Sequence, residues 1–297
     1  MANPWIVNAV SRAELPAACQ ALAQCRPAEQ RDSQARTYLA AITSNALGIA
    51  GLFTAKDHAG TIRGAVLGQV LDGATGLIWP PGVETGRDKT AIETDLMKTV
   101  LGWLRAAGVK VAQSLPKAGD RDGMAALERH GFKLITRLSM WERDLQTLPH
   151  PPKPSGTFTF LPVDDAEDFR NTLLASYEGT LDCPESAGDR TSAELIAGHG
   201  PMPEPHESLW FLAKHEGTSA GVLLLSRTDV PGVGELTYLG LRPEHRGRDL
   251  GRELIRFAMA RSVEAGFHKL TLSVDVRNEP ALQLYRSHGF RVTEQRD

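Results

Sequence analysis

Just after an apolar run the chain carries Arg246-Gly247-Arg248-Asp249-Leu250-Gly251, a turn rich in arginine and glycine that leads into an amphipathic pattern. Such a turn at a helix N-terminus suits an anion, because unpaired N–H groups and the positive end of the helix dipole converge there. The N–H groups of residues 247–252, among them Arg252, can serve one phosphate-bearing ligand together. Downstream stand Asn278, Tyr285 and then His288-Gly289-Phe290. Upstream, Glu235 and Tyr238 interrupt the apolar run, and Tyr177, Glu178 and Asp182 lie in a polar stretch. Anion capture by the turn, proton acceptance by a carboxylate and proton donation by a phenol are the chemistries these residue types allow.

Those residues need a frame. A strand over 235–241 should precede the turn, and a helix from Leu250 should follow it. Leu250, Leu254, Phe257 and Ala258 form its inward stripe, with Arg252, Glu253 and Arg256 outward. A strand over 269–276 and a helix carrying Asn278 and Tyr285 come next, then a last strand near 291–294. Ahead of them the pattern gives a strand at 157–163 and a helix start at Asp164-Asp165-Ala166-Glu167. That helix should run through Tyr177, followed by a short one at 192–197. Strands at 208–214 and 221–226 flank the turn residues Glu216-Gly217-Thr218.

The chain also repeats itself. Ala107-Gly108-Val109 matches Ala265-Gly266-Phe267, and His130-Gly131-Phe132 matches His288-Gly289-Phe290. Both pairs have the same offset of 158 residues (266 less 108, and 289 less 131). A constant spacing across helix, strand and helix indicates a duplicated domain. The copies differ in chemistry. Opposite residues 246–251 the first half has Asp88-Lys89-Thr90-Ala91-Ile92-Glu93, Tyr285 falls opposite Leu127, and Asn278 opposite Asp120. Residues 1–148 therefore read as a degenerate, structural copy. The proline-rich stretch 149–156 reads as a linker and residues 157–297 as the working domain.

The stretch from Gly234 to Phe290 resembles the acetyl-CoA-binding core of the GNAT-type N-acetyltransferases. The resemblance implies an α/β (α+β) fold of two tandem GNAT-like domains, each a mixed, mostly antiparallel twisted sheet flanked by helices. It implies acetyl-CoA as cosubstrate and direct transfer of the acyl group to a primary amine in a ternary complex, with no metal required. Carried over residue by residue, it makes Glu235 the general base and Tyr285 the acid that protonates the leaving thiolate. The backbone at Leu239 and Leu241 would pair with pantetheine, and the Leu239 amide would polarise the thioester carbonyl. Arg246, Gly247, Arg248, Asp249, Gly251 and Arg252 would hold the pyrophosphate, and Asn278 would contact pantetheine. The family pattern has glycine where this chain has Asp249, a departure that sets a charge beside the phosphates. Tyr177, Glu178, Asp182 and Tyr238 are candidates for the acceptor side. Tandem GNAT domains with one eroded copy are similar to mycothiol synthase-like enzymes.

Composition bounds the alternatives. The 297 residues carry a formal net charge of −3 with 41% apolar and 23% charged residues, which fits a folded chain and gives no basic field for nucleic acid. No apolar run suits a membrane span, and the first residues lack the pattern of a signal peptide, so a cytoplasmic protein is expected. Cys19, Cys25 and Cys183 make no disulfide framework. His245 and His288 read as solvated side chains. The expected partner is a small-molecule or peptide amine, and either a monomer or a homodimer is compatible. The rival reading is a non-catalytic acyl-CoA-binding or protein-interaction module, which Asp249 and the eroded half favour and which Glu235 and Tyr285 oppose.

Overall fold

The computed structural model describes residues 4–147, 156–163, 166–201 and 209–297. Asp164-Asp165 and all but the last residue of the proline-rich stretch lie outside them. The chain divides into two compact units. Met1–Leu134, with Gly188–Arg190 and Asp297, forms the first, and Ile135–Ala187 with Thr191–Arg296 forms the second.

The first unit runs β1 (Trp5–Ala9), α1 (Leu15–Leu22), α2 (Ala28–Thr43), β2 (Leu52–Asp57), β3 (Ile62–Leu71), β4 (Thr75–Ile78), β5 (Gly82–Val83), α3 (Lys89–Ala106), β6 (Val111–Gln113) and α4 (Arg121–Arg129). Its sheet has the order β1-β2-β3-β4-β6, with β5 added along β3. Alternation along the strands feeds two cores. Phe53, Val66 and Ile78 pack against the α3 stripe Ile92, Leu96, Val100 and Leu104. Leu52, Ala65 and Leu67 face α1 and α2 through Leu22, Tyr38 and Ile42.

The second unit runs β7 (Leu138–Asp144), β8 (Phe158–Pro162), α5 (Ala166–Tyr177), α6 (Ser192–Ala197), β9 (Trp210–His215), β10 (Thr218–Arg227), β11 (Val233–Leu241), α7 (Gly251–Glu264), β12 (Lys269–Asp275), α8 (Glu279–Ser287) and β13 (Arg291–Arg296). Its sheet order is β13-β7-β12-β11-β10-β9-β8. Leu223, Leu225, Leu270 and Leu272 face α7 and α8, whereas Val222 and Leu224 face Phe169 and Leu173 of α5. Both units are thus sheets flanked by helices, the mixed α/β class expected. Among the described residues no helix is long and apolar enough to cross a membrane.

The 158-residue offset recurs in the elements. It carries β2 onto β9, α4 onto α8 and the start of β6 onto the start of β12. It also carries the parallel pair Thr75↔Val111 onto Val233↔Lys269. One strand departs from the expected division. Leu138–Asp144 pairs with β12 on one side and β13 on the other, with Trp141 in the second unit's core. The compact division therefore falls after Leu134, ahead of the proline-rich stretch.

Candidate active site

β11 and β12 run parallel from Val233↔Lys269 to Leu236↔Leu272 and then part. The cause lies on the other edge of β11. Leu225 faces Leu236 but Leu224 faces Tyr238, so Thr237 is an extra residue in the ladder. Such a bulge bends its strand, and the Thr237 hydroxyl anchors the bend by donating to the Leu224 carbonyl at 3.2 Å. The divergence opens a cleft of about 740 Å³. Thr237, Tyr238, Leu239, Gly240 and Leu241 line one side, Ser273, Asn278, Leu284 and Tyr285 the other, and Gly247, Asp249, Gly251 and Arg252 one end.

Strand geometry sets which amides face the cleft. The Arg242 amide donates toward β10, to the Ala220 carbonyl at 2.9 Å. Amides alternate sides along a strand, so those of Leu239 and Leu241 face the side that β12 has left. Among the described residues they are edge groups with no strand to pair with.

The turn is built for backbone donors. Gly247 and Asp249 adopt φ of 69° and 61°, the left-handed region. Asp is among the few side chains that visit it readily. Among the described residues the amides of positions 247–251 donate to no backbone carbonyl, whereas those of Arg252 and Glu253 return to Asp249 and Leu250. A Cβ on Gly247 would meet nothing within 4 Å, so that glycine serves conformation rather than packing. Asp249 points outward: its side chain is 73% exposed and pairs with Arg252 Nε at 3.1 Å. Arg248 is exposed and does not line the cleft.

Arg246 is engaged elsewhere. Its amide donates to Pro243, its Nε to the Leu241 carbonyl at 3.0 Å, and its Nη atoms to the carbonyls of Ser176, Glu178 and Gly179. Arg246 lines the cleft too, but its guanidinium is committed to the end of α5.

Tyr285 reaches the cleft from α8 and is 7% exposed. Among the described residues nothing hydrogen-bonds its hydroxyl. Burial, with Asp182 and Tyr238 adding to it, pushes its pKa well above the usual phenol value, so it stays protonated. Asn278 caps α8, its side-chain oxygen accepting from Ala281 N at 3.3 Å, and it lines the cleft as well. Glu235 does not. It sits two residues before the bulge, half-buried, and desolvation raises its pKa.

Tyr238 also lines the cleft, but neither Tyr177 nor exposed Glu178 does. Tyr177 instead bonds His199 Nε2, and both rings meet Tyr238 edge-on at 5.3 and 5.2 Å between centroids. His199 was invisible to sequence spacing. Asp182 lines the cleft and accepts the Asp275 amide at 2.7 Å; desolvation and then the Asp275 charge raise its pKa. Asp275 is fully buried and held by Arg277 and Thr136. Desolvation, reinforced by the Asp182 and Asp275 carboxylates, pushes the Cys183 thiol up to about 12, so it is no nucleophile. Two outward assignments fail. His245 is buried, which lowers its pKa, and Glu253 is buried beside Arg256 at 2.9 Å, because the turn folds α7 down onto the sheet.

Comparison with known proteins bears on the family and the fold. The profile of the Acetyltransferase (GNAT) family matches residues 167–290. An uncharacterised N-acetyltransferase of Schizosaccharomyces pombe is 30% identical over 132 residues, 44% of this chain and 78% of that protein. The chain belongs to the GNAT family. The general reaction of that family moves an acetyl group from acetyl-CoA to an amine. A mycothiol acetyltransferase of Thermobispora bispora is 31% identical over 183 residues, 58% of this chain and 60% of that relative, so the match spans less than two thirds of its length. Among solved structures, a GCN5-related N-acetyltransferase from Sphaerobacter thermophilus superposes with a TM-score of 0.64 at 20% identity, covering 100% of this chain and 95% of that one. A tandem GNAT protein from the clavulanic acid biosynthesis pathway gives 0.52 at 15% identity over 98% and 96%. At those identities the likeness concerns the fold, and it extends over both GNAT units.

Proposed function

We propose that the second unit transfers an acetyl group from acetyl-CoA to a primary amine by direct attack. The observation that carries this reading is the cleft at the β11–β12 divergence. Among the described residues it sets an edge of unpaired amides, a donor-rich turn and an unbonded, protonated phenol around one space. Pantetheine would extend β11 as an added strand on Leu239 and Leu241. The Leu239 amide would then hold the carbonyl oxygen as charge develops on it. The amides of residues 247–251, with Arg252, would take the pyrophosphate. The Asn278 amide group would contact the pantetheine arm.

The amine must lose a proton as it attacks. Glu235, with its raised pKa, is the base we assign, acting through water because its side chain stands outside the cleft. The thiolate leaves toward Tyr285, whose phenol supplies the proton. A direct route is favoured because Cys183 does not line the cleft and burial disfavours its thiolate. The first unit serves as a structural copy, with acetyl-CoA bound by the second alone. Relatives named for mycothiol acetylation make the corresponding amine the first acceptor to screen, ahead of amino sugars, polyamines and peptide N-termini. Three unpaired cysteines suit a reducing, cytoplasmic setting.

Calorimetric titration with acetyl-CoA tests the reading, repeated on Arg252→Glu and followed by thiol release across the amine panel. Micromolar binding that the substitution weakens at least tenfold, with thiol release dependent on an amine, is the expected result. Binding without turnover on any amine would leave the rival acyl-CoA-binding module, and no binding would leave the protein-interaction module.

A further inference from the structure

We infer that Arg246 is a positioning residue whose guanidinium ties the cofactor turn to the wall that receives the amine, an inference that rests on the cleft assignment above. Its partners are all carbonyls. Nε donates to Leu241 at 3.0 Å, Nη1 to Glu178 at 2.6 Å and Gly179 at 3.3 Å, and Nη2 to Ser176 at 2.7 Å. The last carbonyls of a helix have no intrahelical partner and carry the negative end of its dipole. A planar, permanently charged fork satisfies several at once, which a lysine cannot reproduce. Residues 176–179 are the end of α5 and its exit, so Arg246 closes that end from a residue whose own backbone begins the cofactor turn.

What it closes matters for the acceptor. The Ser176 hydroxyl donates to Leu173 at 2.6 Å and therefore accepts from the Tyr238 hydroxyl at 2.9 Å. That leaves the Tyr238 oxygen lone pairs available to a cationic amine. Tyr177, the next residue, carries the His199 contact and packs on Tyr238. A guanidinium holding the carbonyls of 176, 178 and 179 thus fixes the backbone that aims Ser176, Tyr177 and, through them, Tyr238. Its fourth bond fixes Leu241, the far end of the pantetheine edge. Order imposed on the turn by the cofactor is transmitted to the end of α5 through one side chain.

Hydrogen exchange separates this role from phosphate binding. The amides of Glu178 and Thr180, bonded to Ala175 and Tyr177, report on the end of α5. In wild type, acetyl-CoA should slow their exchange. In Arg246→Gln they should exchange at least tenfold faster without ligand, while the acetyl-CoA Kd moves less than threefold and the ligand no longer protects them. Arg246→Lys should recover part of the protection. With any amine that turns over, KM for the amine should rise and kcat hold. The inference is overturned by a tenfold weaker Kd with α5 exchange unchanged, which assigns the guanidinium to phosphate. Equal loosening of α8 and α5 also overturns it, as a general structural role. Failure of the wild type to bind acetyl-CoA would end the functional reading, while exchange in the unliganded variants would still decide the clamp.

Discussion

The two units share a register and differ at nearly every place where a ligand would touch. Leu239, whose amide faces the cleft, corresponds to Pro81, which has no N–H; the strand itself is interrupted there, ending at Ile78 and resuming at Gly82. Gly247 corresponds to Lys89 and Gly251 to Glu93. Glu93 is 1% exposed and bonded at 2.6 Å to Arg129, the counterpart of cleft-lining Ser287. An ion pair therefore spans the positions that border the glycine-bearing turn in the second unit. Asp120 keeps the capping role of Asn278, accepting from Gly123 at 3.0 Å, but its carboxylate is tied to Arg26 at 3.1 Å. Packing and capping roles are kept between the units, whereas positions that line the cleft in the second unit carry residues tied into ion pairs or packed in the core of the first.

The largest expected difference is at the pair Tyr285 and Leu127. Tyr285→Phe should lower kcat by roughly 10² to 10³ at unchanged acetyl-CoA Kd, the scale of a lost proton donor. Leu127, 3% exposed in the first core, should do the opposite. Leu127→Ala should cost about 2–5 kcal/mol of stability in thermal unfolding, with kcat of the folded protein retained. A kcat loss at Leu127 as large as that at Tyr285 would break the contrast.

Glu235 has a comparable but pH-dependent effect. Glu235→Gln should lower kcat about 10²-fold. Because burial raises its pKa above 4.5, the active carboxylate accumulates only as pH rises through the higher, folded value, and kcat/KM should climb there. The acidic limb should vanish in the Gln variant. Stability runs the other way: the folded state holds this proton more tightly than the unfolded chain. The group's contribution is therefore full below its ordinary pKa and lost as pH rises through the folded one.

The turns give the third contrast. Arg252→Glu leaves two acids at the pyrophosphate end, and acetyl-CoA Kd should rise ten- to a hundredfold, about 1.4–2.8 kcal/mol. Lys89→Ala, at the matching end of α3, should leave Kd within twofold by calorimetry. An equal loss at Lys89 would show that the first unit binds cofactor too.

The sequence made the duplication legible because spacing across strand, helix and strand is a packing constraint that a repeat must keep. It also placed Tyr285, Asn278, Leu239 and the turn beside one another, since motif order fixes them along adjacent elements. The rest depended on partners distant in the chain. Leu138–Asp144 has a pattern that would fit either sheet, and only its pairing with β12 and β13 assigns it. Thr237 is an ordinary strand residue until its neighbours' register shows it to be surplus. Arg246 stands in an anion motif, so its charge suggested an anion, whereas its partners are carbonyls, those of Ser176, Glu178 and Gly179 being 67 to 70 residues away.

Asp249 offers the smallest and most diagnostic test, because it is the one acid within the second unit's turn. A carboxylate about 5 Å from a phosphate would cost roughly 1 kcal/mol in water and about 3 at an intermediate dielectric. The observed geometry argues for the lower figure or less, since the side chain is mostly exposed and Arg252 partly neutralises it. Glycine would also remove the cost of a left-handed side chain, of order 1 kcal/mol, from the folded state. Against that, glycine releases Arg252 from its partner and leaves the unfolded chain freer. Asp249→Gly should accordingly tighten acetyl-CoA binding two- to fivefold, with the gain shrinking at high salt. If binding weakened instead, the Asp249–Arg252 pair would be holding the turn in shape. Lys89, which meets Glu93 at 3.8 Å at the matching end of α3, would then be the first unit's version of the same brace.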